Sequence, residues 1–208
     1  FQTCRGLQAS STTPSWGTKT VWLPRMQQGQ GPQISDGQVL GWGMSNWCLS
    51  HRADPLGCAI ADRHYNRQKI GSPQFVPPGR CLVLMQRDAL WTTSWPFAEY
   101  VRHDWAGAWV NSLFRKEGNG IASEMIRAAI SHTRFQWEPP ALGMITFVDA
   151  KKTPGTMVRG QRIHGYSYLK AGFRHVGFTK GGLWAWQILP EDMPPPIPAI
   201  GQQMDLIA

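Results

Sequence analysis

The stretch from Ile121 to Phe135 repeats apolar residues at every fourth position, with Ile121, Met125 and Ala129 in one row and Ile126 and Ile130 in the next. That period belongs to an α-helix with one buried face. On either side lie "AGAWVNSLF" and "LGMITFVDA", apolar runs of strand length, the second continuous enough to be covered on both faces. A strand, a helix and a strand in succession commit the chain to a layered α/β arrangement.

The remaining pattern extends this order. "DPLGCAIADRHYNRQ" predicts a helix starting near Asp54 or Pro55. "CLVLM" and "ALWTTSW", separated by "QRD", predict two strands joined by a tight turn. "YSYLKAGF" predicts a short helix ending at Gly172, and "HVGFTKGGLWAWQIL" a last strand or strand pair. The expected fold is α/β, with a mixed central sheet flanked by helices.

Outside this block the composition changes. Residues 1–46 are rich in Gln, Gly, Ser and Thr and predict an extended or partly disordered arm. "WGTKTVWLP" within it is a possible short strand or anchor. Residues 47–190 form the expected folded domain, and 191–208 a proline-rich tail that cannot continue a helix or sheet.

Charge narrows the choice of partner. The net charge is +8, and from Ala150 to Leu189 there are seven basic residues and no acid. Such a surface favours an anionic partner. The four cysteines show no paired spacing of a metal finger or redox motif. With no signal peptide and no apolar run of membrane length, a reduced cytoplasmic protein is expected, with no membrane partner.

Between the first apolar run and the helix stands "RKEGNG", Arg115 to Gly120. The first amides of a helix lack intrahelical partners and carry the positive end of its dipole, and glycines let the backbone approach a phosphate there. A dinucleotide fingerprint is disfavoured because Ser occupies position 123, where a third glycine would stand. A P-loop is excluded for want of Gly-Lys-Ser/Thr.

Arg115-x-x-Gly118-x-Gly120 resembles the pyrophosphate loop of the GNAT acetyltransferase superfamily. Tyr168-Leu169-Lys170-Ala171-Gly172-Phe173 is similar to that superfamily's Tyr-x-x-x-Gly-Phe helix. The resemblance covers roughly Pro55 to Leu189. It implies that Val110, Asn111, Ser112 and Leu113 face a pantetheine arm. The loop Arg115, Gly118, Asn119, Gly120, Ile121, Ala122 and Ser123 would then hold the pyrophosphate of acetyl-CoA or a related CoA thioester. Tyr168 takes the place of a general acid.

A narrower resemblance comes from "ADRHYNRQ", "FVPPGRCLVL", "NSLFRKEG", "GMITFVDAKK" and "AGFRHVGFTKGGLWAWQ". Together they look like the phage Mom family, which places a carbamoylmethyl group on N6 of adenine in double-stranded DNA and so shields phage genomes from restriction. The resemblance implies catalytic positions at His64, Tyr65, Asp149 and Tyr168, and a setting in the bacterial host cytoplasm during phage infection. An adenine amine is a poor nucleophile and needs a base, His64 or Asp149, to take its proton. Family likeness also brings iron into view, although no 2-His-1-carboxylate set is legible and no metal ligand is assigned.

Lys151, Lys152, Arg159, Arg162, Arg174 and Lys180 are candidates for DNA phosphates. Trp91, Trp95, Phe97 and Tyr100 are candidates for a slot that receives a flipped base. "TPGTMVRGQRIHG" is long for the connection it makes and puts the Asp149–Tyr168 geometry in question. Two other functions stay open: a conventional acetyltransferase acting on a protein or small-molecule amine, and a non-catalytic DNA-binding protein.

Overall fold

The structure is a computed structural model and describes residues 47–76 and 79–202. The expected arm over 1–46 lies outside the described residues, as does the end of the tail from 203.

The described residues contain nine strands, three α-helices and two short 3-10 turns, Ala98–Tyr100 and Pro190–Asp192. In chain order the strands and α-helices are β1 (Cys48–Ser50), α1 (Pro55–Asp62), β2 (Arg80–Gln86), β3 (Ala89–Trp95), β4 (Trp109–Lys116) and α2 (Ala122–Gln136). Then follow β5 (Met144–Val148), β6 (Thr156–Val158), β7 (Gln161–Ile163), α3 (Tyr166–Ala171), β8 (Arg174–Phe178) and β9 (Trp184–Ile188). Seven strands form one mixed sheet in the order β1-β2-β3-β4-β5-β9-β8, and β6 and β7 form a separate hairpin.

Only β4 and β5 run parallel in this sheet. A parallel pair needs a long crossover, which α2 supplies. The pairing is short. Trp109, Val110 and Asn111 face Met144, Ile145 and Thr146, and there the ladder ends. Beyond it β4 follows β3 as far as Lys116, while β5 follows β9 as far as Val148. The two central strands therefore part, and the sheet opens along its middle.

Aromatic mass holds the sheet to α2 and α3. Trp47, Trp91, Trp109 and Trp186 are completely or almost completely buried with Met125, Ile126, Ala129 and Ile130 of α2. The Trp47 indole donates to the Met125 carbonyl at 3.0 Å. The opposite face of β2 to β4 packs Val83, Leu90 and Leu113 against Ile60 and Ala61 of α1. Of the eight described tryptophans, whose roles composition left undivided between core and stacking, these four are core.

Three departures from the sequence expectation have local causes. The first helix stops at Asp62, well short of Gln68. The Asp62 carboxylate accepts from Arg67 Nε at 2.7 Å and from the Gly71 amide at 2.9 Å, which folds the following turn back on the helix end. The long connection after β5 is the β6–β7 hairpin, closed at its tip by Arg159 and Gly160 with φ of 48° and 80°. The proline-rich segment beyond 190 is no loose tail as far as Gln202. Met193 and Ala199 are buried in the main core, and Ile200 forms an isolated parallel bridge with Cys48.

Candidate functional site

The parting of β4 and β5 opens a cleft of about 200 Å³. Asn111 to Phe114 line it from one strand and Thr146 to Val148 from the other. His64, Tyr65 and Asn66, just past α1, close one side. Gly165 to Tyr168, at the start of α3, close the other, and Thr153, Pro154 and Thr156 stand at the base of the hairpin.

Asn111 organises the floor. Its Nδ2 donates to the carbonyls of Thr92 and Leu113, both at 3.0 Å, where a bulge interrupts the β3–β4 pairing. Those two bonds fix the amide's orientation, because its oxygen cannot serve as their donor. Oδ1 therefore points at α3 and β5, where it accepts from the Tyr168 hydroxyl at 2.6 Å and from Thr146 Oγ1 at 3.3 Å. The Tyr168 proton is directed at Asn111, so the phenol oxygen presents an acceptor towards the Thr146 hydroxyl and the cleft. Burial pushes this phenol well above the usual tyrosine range, the Thr146 hydroxyl acting in the opposite sense. Tyr168 stays protonated.

Across the cleft His64 stacks on Tyr65, with ring centroids 4.4 Å apart. Burial first, and the Arg115 guanidinium second, hold the imidazole down to about 4. The neutral ring accepts the Asn66 amide on Nδ1 at 3.2 Å, so its proton resides on Nε2. His64 is a hydrogen-bond donor here, with its basic nitrogen already engaged. The base role expected for it from the sequence does not suit this arrangement.

Tyr65 is half-buried, and burial raises its phenol, the backbone of Asp149 acting in the opposite sense. Asp149 stands beside the cleft without lining it. Its Oδ1 accepts the Lys151 amide at 2.8 Å, and its carbonyl accepts Thr153 Oγ1 at 2.6 Å. Four of the sequence-predicted residues, His64, Tyr65, Asp149 and Tyr168, are thus brought to one place. The connection after β5 does not separate Tyr168 from the others, because its excess length goes into the hairpin.

The glycine loop is a different matter. None of Arg115 to Ser123 lines the cleft. Arg115 Nε donates to Glu117 at 2.6 Å and its Nη1 to the Arg63 carbonyl at 2.6 Å. Arg63 also grips Glu117, through Nε at 2.7 Å and Nη2 at 2.6 Å, and the two arginines pull that carboxyl down to about 2. Lys116 Nζ donates to the Gly118 carbonyl. Arg115, the cation expected to meet a pyrophosphate, is thus occupied by Glu117 and Arg63, and a Cβ on Gly118 would lie 1.2 Å from Asp88 Oδ2. What the loop keeps for an anion is its backbone. Gly120 has φ of 106°, and Ile121 caps α2 with no side-chain bond to the first-turn amides of Ala122 and Ser123.

Val110 does not line the cleft and packs against the cluster of Ala108, Ile145 and Ala185. Trp91 and Trp95 belong to the core, while Phe97 and Tyr100 are 69% and 76% exposed on the β3–β4 connection. Lys151, Lys152, Arg159 and Arg162 are exposed on the segment that also supplies Thr153, Pro154 and Thr156 to the cleft. Arg174 pairs with Asp192 at 2.9 Å, and Lys180 lines a second hollow with His103 and Trp105. Among the described residues no group of three or more His, Cys, Asp or Glu could hold a metal ion. No described helix is long and apolar enough to cross a membrane.

Thr146, Phe114 and Asn66 are cleft residues that sequence reasoning passed over. Thr146 carried a signal, being a polar residue inside a buried apolar strand. Compared with protein-family models, curated proteins and solved structures, the chain has no match in any of the three.

Proposed function

We propose that this chain is a GNAT-like transferase of the Mom type, modifying N6 of adenine in double-stranded DNA. The observation that carries the reading is the cleft where the single parallel strand pair diverges, with the Tyr168 oxygen at its floor. An amine N–H entering the cleft meets a phenol oxygen whose own proton is turned away towards Asn111. That geometry positions an exocyclic amine by accepting one of its hydrogens. His64 Nε2–H serves as a donor to the ring or to the incoming group, and Asp149, which stands beside the cleft and does not line it, is the carboxylate assigned the proton.

A CoA thioester would supply an acyl group: the new bond from N6 to the acyl carbon forms as the C–S bond breaks, the amine proton passes to Asp149, and the departing thiolate is released to take its proton from solvent. The backbone from Gly120 to Ser123 would hold its pyrophosphate without help from Arg115 or Lys116. Exposed Lys151, Lys152, Arg159 and Arg162 beside the cleft support a polyanionic partner.

The test is mass spectrometry of nucleosides from cells expressing the chain. A modified adenine should accumulate with the wild type and vanish with Tyr168→Phe and with Asp149→Ala. Unmodified adenine in the wild type, despite soluble folded protein, ends the proposal.

A further inference from the structure

One exposed feature has no part in the cleft chemistry. On the face of β8 and β9 that carries Trp186, rings form a continuous strip. His175 lies 4.7 Å from Trp184, 5.4 Å from Trp186 and 4.9 Å from Phe178, measured between centroids. Phe178 meets Trp184 edge-on at 5.4 Å, and His164 approaches Trp184 at 5.7 Å. Residues three apart on a regular strand point to opposite faces. Here the register shifts between His175 and Gly177, so His175 opposite Trp186 and Phe178 opposite Trp184 share one face. Trp186 is buried and anchors the strip, whereas Phe178 is 56% exposed and His175 is also exposed.

The strip is joined to both the hairpin and the cleft. Trp186 Nε1 donates to the His164 carbonyl at 3.0 Å, and Gly165, the next residue, is a wall of the cleft. His164 follows β7, which carries Arg162, and its Nδ1 is bonded to the Thr153 carbonyl at 3.0 Å near Lys151 and Lys152. The whole segment from Ala150 to Leu189 holds no carboxylate side chain. Flat exposed rings bordered by cations match a polymer that alternates flat bases with phosphates. An acidic protein surface would satisfy the cations but leave the ring faces without flat partners.

We infer that His175, Phe178 and Trp184 form a stacking platform for unpaired bases of a DNA strand, with Lys151, Lys152, Arg159 and Arg162 along its phosphates. The inference rests on the DNA reading above and adds that the protein engages opened strand beside the cleft as well as duplex.

Fluorescence titration with a short single-stranded oligodeoxynucleotide and with its duplex form tests it. Phe178→Leu keeps apolar bulk and His175→Leu keeps comparable size, both remove a ring, and each should weaken single-strand affinity about tenfold. Phe178→Tyr should bind like the wild type, and thermal unfolding should show every variant folded. Single-strand affinity unchanged in both leucine variants overturns the platform while duplex binding leaves the DNA reading standing. A wild type that binds neither form overturns both.

Discussion

The Tyr168 hydroxyl and the Asn111 side chain are joined at 2.6 Å, and this one bond ties the last helix to the strand that borders the cleft. It also decides what the tyrosine offers. A phenol that donates to a fixed amide oxygen presents an acceptor, so in the proposed reaction its part is to receive an N–H. Acting as the acid expected of it from the sequence would first require breaking that bond.

Asn111→Ala should destabilise the protein more than Tyr168→Phe. Alanine strands the Thr92 and Leu113 carbonyls in the interior, each costing about 1–3 kcal/mol. Phenylalanine removes one hydroxyl and leaves Asn111 Oδ1 with Thr146, a loss of about 1 kcal/mol. Urea unfolding of the two variants checks the order, and equal midpoints would contradict the network.

Gly143→Ala should be the most damaging glycine substitution near the sheet. Its φ is 61°, and an added Cβ would lie 2.0 Å from the backbone oxygen of Ile188, which cannot swing aside. The Gly143 carbonyl also accepts the Trp109 amide at the start of the parallel pair. A loss of about 3 kcal/mol or more is expected in chemical denaturation.

His64 predicts a pH effect of known sign. Its folded value near 4 lies below the unfolded value of 6.5, so both states are neutral above 6.5 and the residue adds no slope there. As pH falls from 6.5 towards 4 the unfolded state binds the extra proton and the folded state loses stability, by at most about 1.4 kcal/mol per pH unit. The difference in unfolding free energy between wild type and His64→Gln, followed from pH 7 to 5, isolates this contribution from the other histidines. In NMR titration Arg115→Gln should move the His64 value upward, since a neighbouring cation is removed.

Removing the exposed cations beside the cleft should change the salt response of DNA binding. Each of Lys151→Ala, Lys152→Ala, Arg159→Ala and Arg162→Ala should lower the slope of log K against log salt by about one unit. Arg174→Ala should do less, because that side chain already pairs with Asp192. Identical slopes in all variants would place the polyanion elsewhere.

The order of strands and helices from Pro55 to Leu189 was readable because each element carries a continuous apolar pattern. Ile121 to Phe135 became α2 to within a residue of each predicted end, and "CLVLM" and "ALWTTSW" became the β2–β3 pair. The cleft was only partly readable. His64, Tyr65 and Tyr168 stood out as reactive residue types, but Asn111 and Thr146 act through side-chain bonds that depend on where two strands separate. The side chains of the glycine loop were unreadable for a related reason. Spacing reveals glycines before a helix, yet it cannot reveal that Glu117 collects both Arg63 and Arg115. β1 and the hairpin were missed because three-residue strands are too short to show a period.

The bridge from Cys48 to Ile200 bears on how the molecule assembles. Leu49 donates to the Ile200 carbonyl at 2.8 Å, and Ile200 donates to the Trp47 carbonyl at 3.0 Å, across nearly the whole described chain. Contacts between such distant partners close late in folding, after the intervening loop has collapsed. In hydrogen exchange the Leu49 and Ile200 amides should therefore open together, ahead of the central strands, as one latch.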